Sequence, residues 1–534
     1  MKDHTRQVDR SVLLWSGGSL TLFVLASLIS VDFVSNAVNI SFTFAIKYFG
    51  AFWQVLLLAT FFIAIGLAIT KYGKVKLGLL DKPDIGNFKW IAMIMTTLLA
   101  GGGVFWAAAE PMYHFISSPP TFKDVESGTT DAVIPALAQT YLHWGFLAWA
   151  ILGTLSTIVL MYAHYHRGMP LKPRSLLYPL FGEKIMKNSR LGTAVDAFSI
   201  IAVAAGTIGP IGFLGLQAAY GMNVLFGVPN NMMTQILIII GVVAIATISA
   251  VTGLRKGIQF LSNLNVVLTL LLMVSVLLLG PGGFIVDTFL ASSGVHLQEF
   301  ISLSTFRADS EWLGVWTIFF WGWFLGYGPM MAIFISTISR GRTIREIVVA
   351  IAIVAPVVTC FWFTVVGGSG IFYELAQPGI ISNALNSAGM PAAMISITQQ
   401  LPLSVIIAPA FLIVTILFVV TTGDSMAYTI SVAITGDSNP AKSMRVFWAV
   451  IMGAVAIVLL AIGEGSIGAI QSFIVVTAVP VSLLLCPLLW TAPKVAGILA
   501  REQFNMEEIA DRKLKVAVSE KNEATKDKLQ ISDV

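Results

Sequence analysis

Long apolar runs recur along the chain, separated by short polar connections. A membrane span needs about 20 mostly apolar residues. Twelve stretches qualify: near 12–33, 50–71, 89–115, 137–163, 193–225, 232–252, 258–281, 313–337, 346–373, 402–433, 444–463 and 466–495. The run from Trp15 to Ile29 lacks a small-residue cleavage site followed by a soluble domain, so it reads as a first span and not as a signal peptide. The stretch 287–312 is long for a connection, and Leu297 to Leu303 within it suits an outer interfacial helix. The pattern predicts an all-α integral membrane protein. Its parts are an N-terminal tail at 1–11, two peripheral helices at 12–88, five helices at 89–281, an outer connection at 282–312, five more helices at 313–495 and a C-terminal tail at 496–534. From Arg501 onward Glu and Lys interleave with almost no aromatics, which reads as a solvated helix with a frayed end.

Basic residues collect in the even-numbered connections: Lys71, Lys74, Lys76 and Lys82, then Arg167, Lys172, Arg174, Lys184 and Lys187, then Arg255 and Lys256, then Arg340, Arg342 and Arg345, then Lys442 and Arg445. The third connection carries Asp124, Glu126 and Asp131 instead. Cytoplasmic loops hold the excess of Lys and Arg, so both termini are expected in the cytoplasm, with the protein in the cytoplasmic (inner) membrane.

Composition narrows the function. Of 534 residues, 56% are hydrophobic and 11% charged, against about 25% charged in a soluble domain. There is too little polar surface for a water-soluble fold of this size, and lipid has to cover the remainder. A net charge of +4, with its cations in short loops, excludes nucleic acid as a partner. Two cysteines, both inside apolar runs, exclude a disulfide scaffold. Gly367-Gly368-Ser369-Gly370 follows no strand, so it is not a nucleotide loop, and no catalytic cluster argues for an enzyme.

Four spans carry unusual residues. The third holds Gly101-Gly102-Gly103, then Phe105-Trp106, then Glu110-Pro111. Three glycines and a proline loosen a helix, and a carboxylate is costly there; either close packing or a substrate-site break fits. The eighth runs from Trp316 through Phe320, Trp323, Phe324 and Tyr327 into Gly328-Pro329. Trp316, Trp323 and Tyr327 share one helical face. An aromatic face against a broken helix suits a quaternary ammonium, which has no hydrogen to donate and is held by ring faces; an aromatic packing stripe fits the same residues. The fourth contains His143-Trp144-Gly145 and Trp149, where His143 reads as a packed, satisfied histidine. The tenth holds Thr421-Thr422-Gly423-Asp424, hydroxyls that could ligate a small hard cation or bond back to their own helix. Asp424 reads as functional or paired. With the first two spans set aside, the two sets of five have opposite membrane orientation, the inverted-repeat pattern with binding near the midplane.

At the eighth span the sequence resembles the betaine/carnitine/choline transporter (BCCT) family. The resemblance rests on Trp316 to Trp323 and on Ile338-Ser339-Arg340-Gly341-Arg342-Thr343-Ile344-Arg345-Glu346, with further matches at His143-Trp144-Gly145, Trp149, Gly253-x-x-Lys256-Gly257 and the Glu110 helix. It covers roughly residues 12 to 495. It implies a LeuT-like core of two five-helix inverted repeats preceded by two helices, commonly a homotrimer, importing glycine betaine, carnitine or choline. The family's aromatic box maps onto Tyr113, Trp323, Phe324 and Tyr327, with Met331 nearby and Trp144, Trp149 and Trp316 lining the route. Phe324 and Leu152 depart from the Trp and Tyr of betaine-binding members. A sodium site maps onto Phe418, Thr421 and Thr422, and Asn265 stands where sodium-independent exchangers place an arginine. Leu98-Leu99-Ala100-Gly101-Gly102 replaces the Gly-Met-Gly-x-Gly run of sodium-coupled members, and Met331 resembles the exchangers. Sodium symport is the expected mode; sodium-independent exchange and a betaine-binding osmosensor are the alternatives. No cofactor is expected.

Overall fold

The computed structural model describes residues 8–99, 102–187, 189–252, 255–435, 440–465 and 467–505. Among them there is no β-strand, and the chain is helical almost throughout. Among the described residues nine helices are long and apolar enough to cross a membrane, and a tenth arises if Asn263–Leu279 and Gly282–Gln298, which meet at 103°, count as one bent span. The other two expected spans take different forms. The third is divided into Asn87–Leu99 and Gly103–Ile116, each too short to cross alone. The sixth is Met232–Thr252, whose apolar part, Met232–Ile248, is short.

The start of the second span differs from expectation. The segment read as a connection, 34–49, is helix: Val31–Ile69 forms a single helix of 39 residues. Ser30 is all that separates it from Arg10–Ile29. Its N–H donates to Ala26 O, closing the first helix, and its hydroxyl accepts from Phe33 N, opening the second. One serine thus serves both as C-cap and as N-cap. The polar Asn36, Asn39 and Ser41 lie along this helix.

The expected break at Gly102 is present, but no break occurs at Gly326-Tyr327-Gly328-Pro329. Phe319–Ile338 runs through all four residues as one helix. Its glycines serve close packing. A Cβ on Gly322 would lie 2.7 Å from the Trp53 ring, and one on Gly328 would lie 3.1 Å from Leu485. The helical irregularity lies more than two turns earlier, in a π-turn at Gly314–Ile318. The expected outer interfacial segment is helical, as Gly282–Gln298 and Phe300–Thr305.

The Arg-rich signature after the eighth span folds as a clamp on the second and third. Leu77 N–H donates to Arg342 O, Gly341 N–H to Leu77 O, and Ile344 N–H to Val75 O. Gly341 has φ +79, and a Cβ there would lie 2.5 Å from Lys82 O, so only glycine fits. Ser339 accepts from Trp90 Nε1, Arg342 stacks 4.3 Å from the Trp90 ring, and Thr343 and Glu346 form a capping box. The helix over 488–505 returns to the same corner. Gln503 Oε1 accepts from Lys76 N–H while its Nε2 donates to Lys76 O. Residues 506–534, most of the expected C-terminal tail, lie outside the described residues, as do Gly253, Ala100 and Gly101.

Candidate functional site

The helix Phe319–Ile338 and the helices of the fourth span bring four of the expected residues into one group. Trp144 sits at the end of Val133–Trp144, where Gly145 interrupts the span. Its ring lies 5.4 Å from Phe324 and 6.1 Å from Trp323, both edge-on. Tyr327 joins through Gly206 of the Arg190–Phe226 helix: a Cβ there would lie 2.3 Å from the Tyr327 ring and 3.2 Å from Trp323. Trp323 is also pressed on Gly102, where a Cβ would lie 2.4 Å from its ring. The break in the third span therefore has a use: glycine there makes room for the indole. Trp323 and Phe324 are 5% and 9% exposed, and Tyr327 is partly buried.

The polar ends of these rings are occupied. Trp323 Nε1 donates to Gly206 O at 3.0 Å, Trp144 Nε1 to Glu110 Oε2 at 2.7 Å, and the Tyr327 hydroxyl pairs with Thr207 Oγ1 at 3.2 Å. What the group has left to offer is ring faces.

Tyr113 and Trp316 form a second pair, with centroids 4.8 Å apart. Among the described residues Tyr113 has no ring contact with Trp323, Phe324 or Tyr327. The pair is joined to the first group by a packed aromatic mass: Trp106 lies 6.0 Å from Trp316 and 5.5 Å from Phe213, and Phe213 lies 5.8 Å from Trp323. Tyr113 is partly exposed, and its helix ends beside a polar cavity lined by Phe115, Ile116, Gly128 and Glu374. Trp149 is buried but makes no ring contact with the others among the described residues. Met331 is buried two turns beyond Trp323 on the same helix.

Glu110 lies behind Trp144 and not among the rings. It is fully buried, its Oε1 2.6 Å from His143 Nδ1 and 3.4 Å from His114 Nε2. His143 is satisfied on both sides, its Nε2 facing Thr317 Oγ1 at 2.9 Å and Gln139 Nε2 at 3.1 Å, as read from the sequence.

The residues of the expected cation site lie in Ser404–Thr435. Thr421 bonds back to its own helix, its hydroxyl donating to Leu417 O at 2.8 Å. Thr422 Oγ1 is buried with no hydrogen-bond partner among the described residues, and Phe418 is buried on the preceding turn. Asp424 is paired: Arg445 donates to its Oδ1 at 3.0 Å.

The family model described as betaine/carnitine/choline family transporter matches residues 11–499. The chain belongs to that family. It is therefore a multi-pass membrane transporter and not an enzyme. It is 52% identical to Glycine betaine transporter 2 of Vibrio parahaemolyticus, over 93% of this chain and 92% of the relative. It is 34% identical to Glycine betaine transporter OpuD of Bacillus subtilis, over 86% and 89%. It is 32% identical to an ectoine/hydroxyectoine transporter of Virgibacillus pantothenticus, over 83% and 88%.

Sequence reasoning passed over three supporting residues of this transporter. Gly206 and Thr207 hold Tyr327 and Trp323, yet in a span rich in Gly and Ala they look like packing. Phe213 stacks on Phe105 at 5.5 Å and fills the centre of the aromatic mass; its only signal was an aromatic side chain among small ones.

Proposed function

We propose that this chain imports a trimethylammonium compound, glycine betaine first among glycine betaine, carnitine and choline, across the cytoplasmic membrane. Both termini would lie in the cytoplasm, and the twelve spans would form two inverted five-helix repeats that rock to alternate access. Homotrimeric assembly belongs to the same reading.

One observation carries it. Trp144, Trp323, Phe324 and Tyr327 surround one another with their N–H and O–H groups already bonded. A ligand that needs hydrogen bonds gains little there. A cation wrapped in methyl groups gains the ring faces and loses nothing. The similarity to two glycine betaine transporters supports this chemistry.

The second substrate is sodium. Thr422 has a hydroxyl still to be coordinated, and Thr421 has one that must leave Leu417 O to take part. That back-bond is the observation favouring the other reading, sodium-independent exchange with Met331 beside the ligand. Uptake of labelled glycine betaine, carnitine and choline into proteoliposomes, with and without an inward sodium gradient, decides. Concentrative uptake only with the gradient supports symport, uptake that ignores sodium but needs internal substrate supports exchange, and no flux of any of the three removes the reading.

A further inference from the structure

Glu110 is the centre of a polar cluster that a pocket of ring faces does not require. Its protonation can be worked out from its partners. Gln139 Oε1 accepts from the Thr121 hydroxyl at 2.8 Å, so its Nε2 is the atom that donates to His143 Nε2. The hydrogen of His143 therefore sits on Nδ1 and donates to Glu110 Oε1. His143 is neutral, because a second ring hydrogen would face the Gln139 amide hydrogens. The other Glu110 oxygen accepts from Trp144 Nε1, also neutral.

His114 is what remains. Its ring is fully buried, its Nε2 is 3.4 Å from Glu110 Oε1, and neither ring nitrogen has a hydrogen-bond partner among the described residues. The other titratable groups around the cluster are Tyr141, bonded to Thr364, His296, whose ring is 6.2 Å from Tyr141, and Cys360, which feels Glu110 electrostatically. None of them brings a fixed positive charge. Among the described residues the basic groups within 4 Å of the Glu110 carboxyl are His114 and His143 alone.

A bare carboxylate at zero exposure among membrane helices is costly. The cluster is neutral only if Glu110 and His114 hold one proton between them, as carboxylic acid with neutral imidazole or as carboxylate with imidazolium. Trp144 connects this pair to the pocket. Its N–H is on Glu110 and its ring is beside Phe324 and Trp323. A carboxylate accepting that N–H pushes electron density into the indole and strengthens its hold on a cation; a carboxylic acid does so less.

We propose that Glu110 and His114 form a one-proton site that a cation entering beside Trp144 discharges. The proton leaves to water, the Glu110 carboxylate becomes the counter-charge of the trimethylammonium group, and with choline, a net cation, the buried region stays neutral. His143, Gln139 and Thr121 form a polar line from the carboxylate to a partly exposed hydroxyl. This rests on the trimethylammonium reading of the pocket. Its sign is fixed by linkage: binding that releases a proton strengthens as pH rises, by about tenfold per pH unit where release is complete.

The test uses the purified full-length protein, with choline and glycine betaine as probes. Affinity is measured by calorimetry from about pH 5.5 to 8.5, and proton release by an indicator dye in weak buffer. The wild type is expected to bind choline more tightly at higher pH and to release about one proton per choline, whereas glycine betaine, whose own carboxylate balances its charge, reports occupancy of the pocket with less proton release. Glu110→Gln is expected to bind at every pH with the affinity the wild type shows at the acid end, and to release none. Should that variant fail to fold, His114→Gln keeps the carboxyl and must shift the pH at which affinity changes. Choline binding that is flat in pH and releases no proton overturns the proton site and leaves the pocket standing. Failure of both ligands to bind at any pH overturns the pocket and this inference with it.

Discussion

Trp323 and Gly206 are held together twice. The indole Nε1 donates to Gly206 O at 3.0 Å, and the absence of a Cβ on Gly206 lets Trp323 and Tyr327 approach the same point of the backbone. The aromatic group is thus built by a small residue on one helix receiving large rings from another, and its weak points follow.

Gly206→Ala puts a methyl group 2.3 Å from the Tyr327 ring. The ring has to move, and overpacking of this kind costs about 1–3 kcal/mol. Transport is expected to fall at least tenfold. Gly241→Ala, where nothing lies within 4 Å, is the matched control and should transport normally. Initial uptake rates normalised to protein in the membrane make the comparison, and equal rates in the two variants would contradict the placement of Tyr327.

Trp323→Leu keeps apolar bulk and removes the ring. A buried cation–π contact is worth about 2 kcal/mol, so the half-saturation concentration for uptake should rise roughly thirtyfold. Trp323→Phe should lie between. Leucine matching tryptophan would mean that the group only packs.

Of the box that the family resemblance implied, Trp323, Phe324 and Tyr327 share one helix and lie close together, whereas Tyr113, on another helix, pairs with Trp316 instead. The Gly102 break was legible in the residues themselves, three glycines leaving nothing to stiffen the backbone. The supposed break at Gly326-Tyr327-Gly328-Pro329 uses the same residue types and is absent. Gly328 faces Leu485 and Gly326 faces Ala202, partners more than a hundred residues distant, and a sequence cannot say whether a glycine is there to bend or to be approached. Residues 34–49 misled in the opposite sense: they fell between two apolar runs and were read as a connection where a helix continues. Gly206 and Thr207 were invisible because their importance lies wholly in what packs on them.

The two threonines should behave differently. Thr422→Ala removes a buried hydroxyl that has no other partner among the described residues, whereas Thr421→Ala removes one already bonded to Leu417 O. Under symport, Thr422→Ala is expected to raise the sodium concentration for half-maximal uptake about tenfold, and Thr421→Ala by less. Sodium titration of uptake measures both; identical curves in wild type and Thr422→Ala would remove Thr422 from the ion's path.

The ion pair beneath the first helix is structural. Arg174 donates through Nε to Asp196 Oδ2 at 2.6 Å and through its backbone N–H to Oδ1 at 2.8 Å, with both side chains under 10% exposed. Removing one partner of a buried pair costs about 3–5 kcal/mol. Arg174→Gln should lower the apparent melting temperature of the purified protein by several degrees while the half-saturation for substrate in the surviving protein stays as in the wild type. A changed half-saturation with unchanged melting would reverse that assignment.

The most direct test of the pocket asks whether it wants the charge or only the methyl groups. Choline and its uncharged carbon isostere, 3,3-dimethylbutanol, have the same shape and hydroxyl and differ in a nitrogen. Both are titrated as competitors of labelled glycine betaine bound to the purified protein. Ring faces that hold a cation predict that choline competes roughly thirtyfold better, the equivalent of about 2 kcal/mol. Equal competition would mean an apolar cavity indifferent to charge, and would contradict the account.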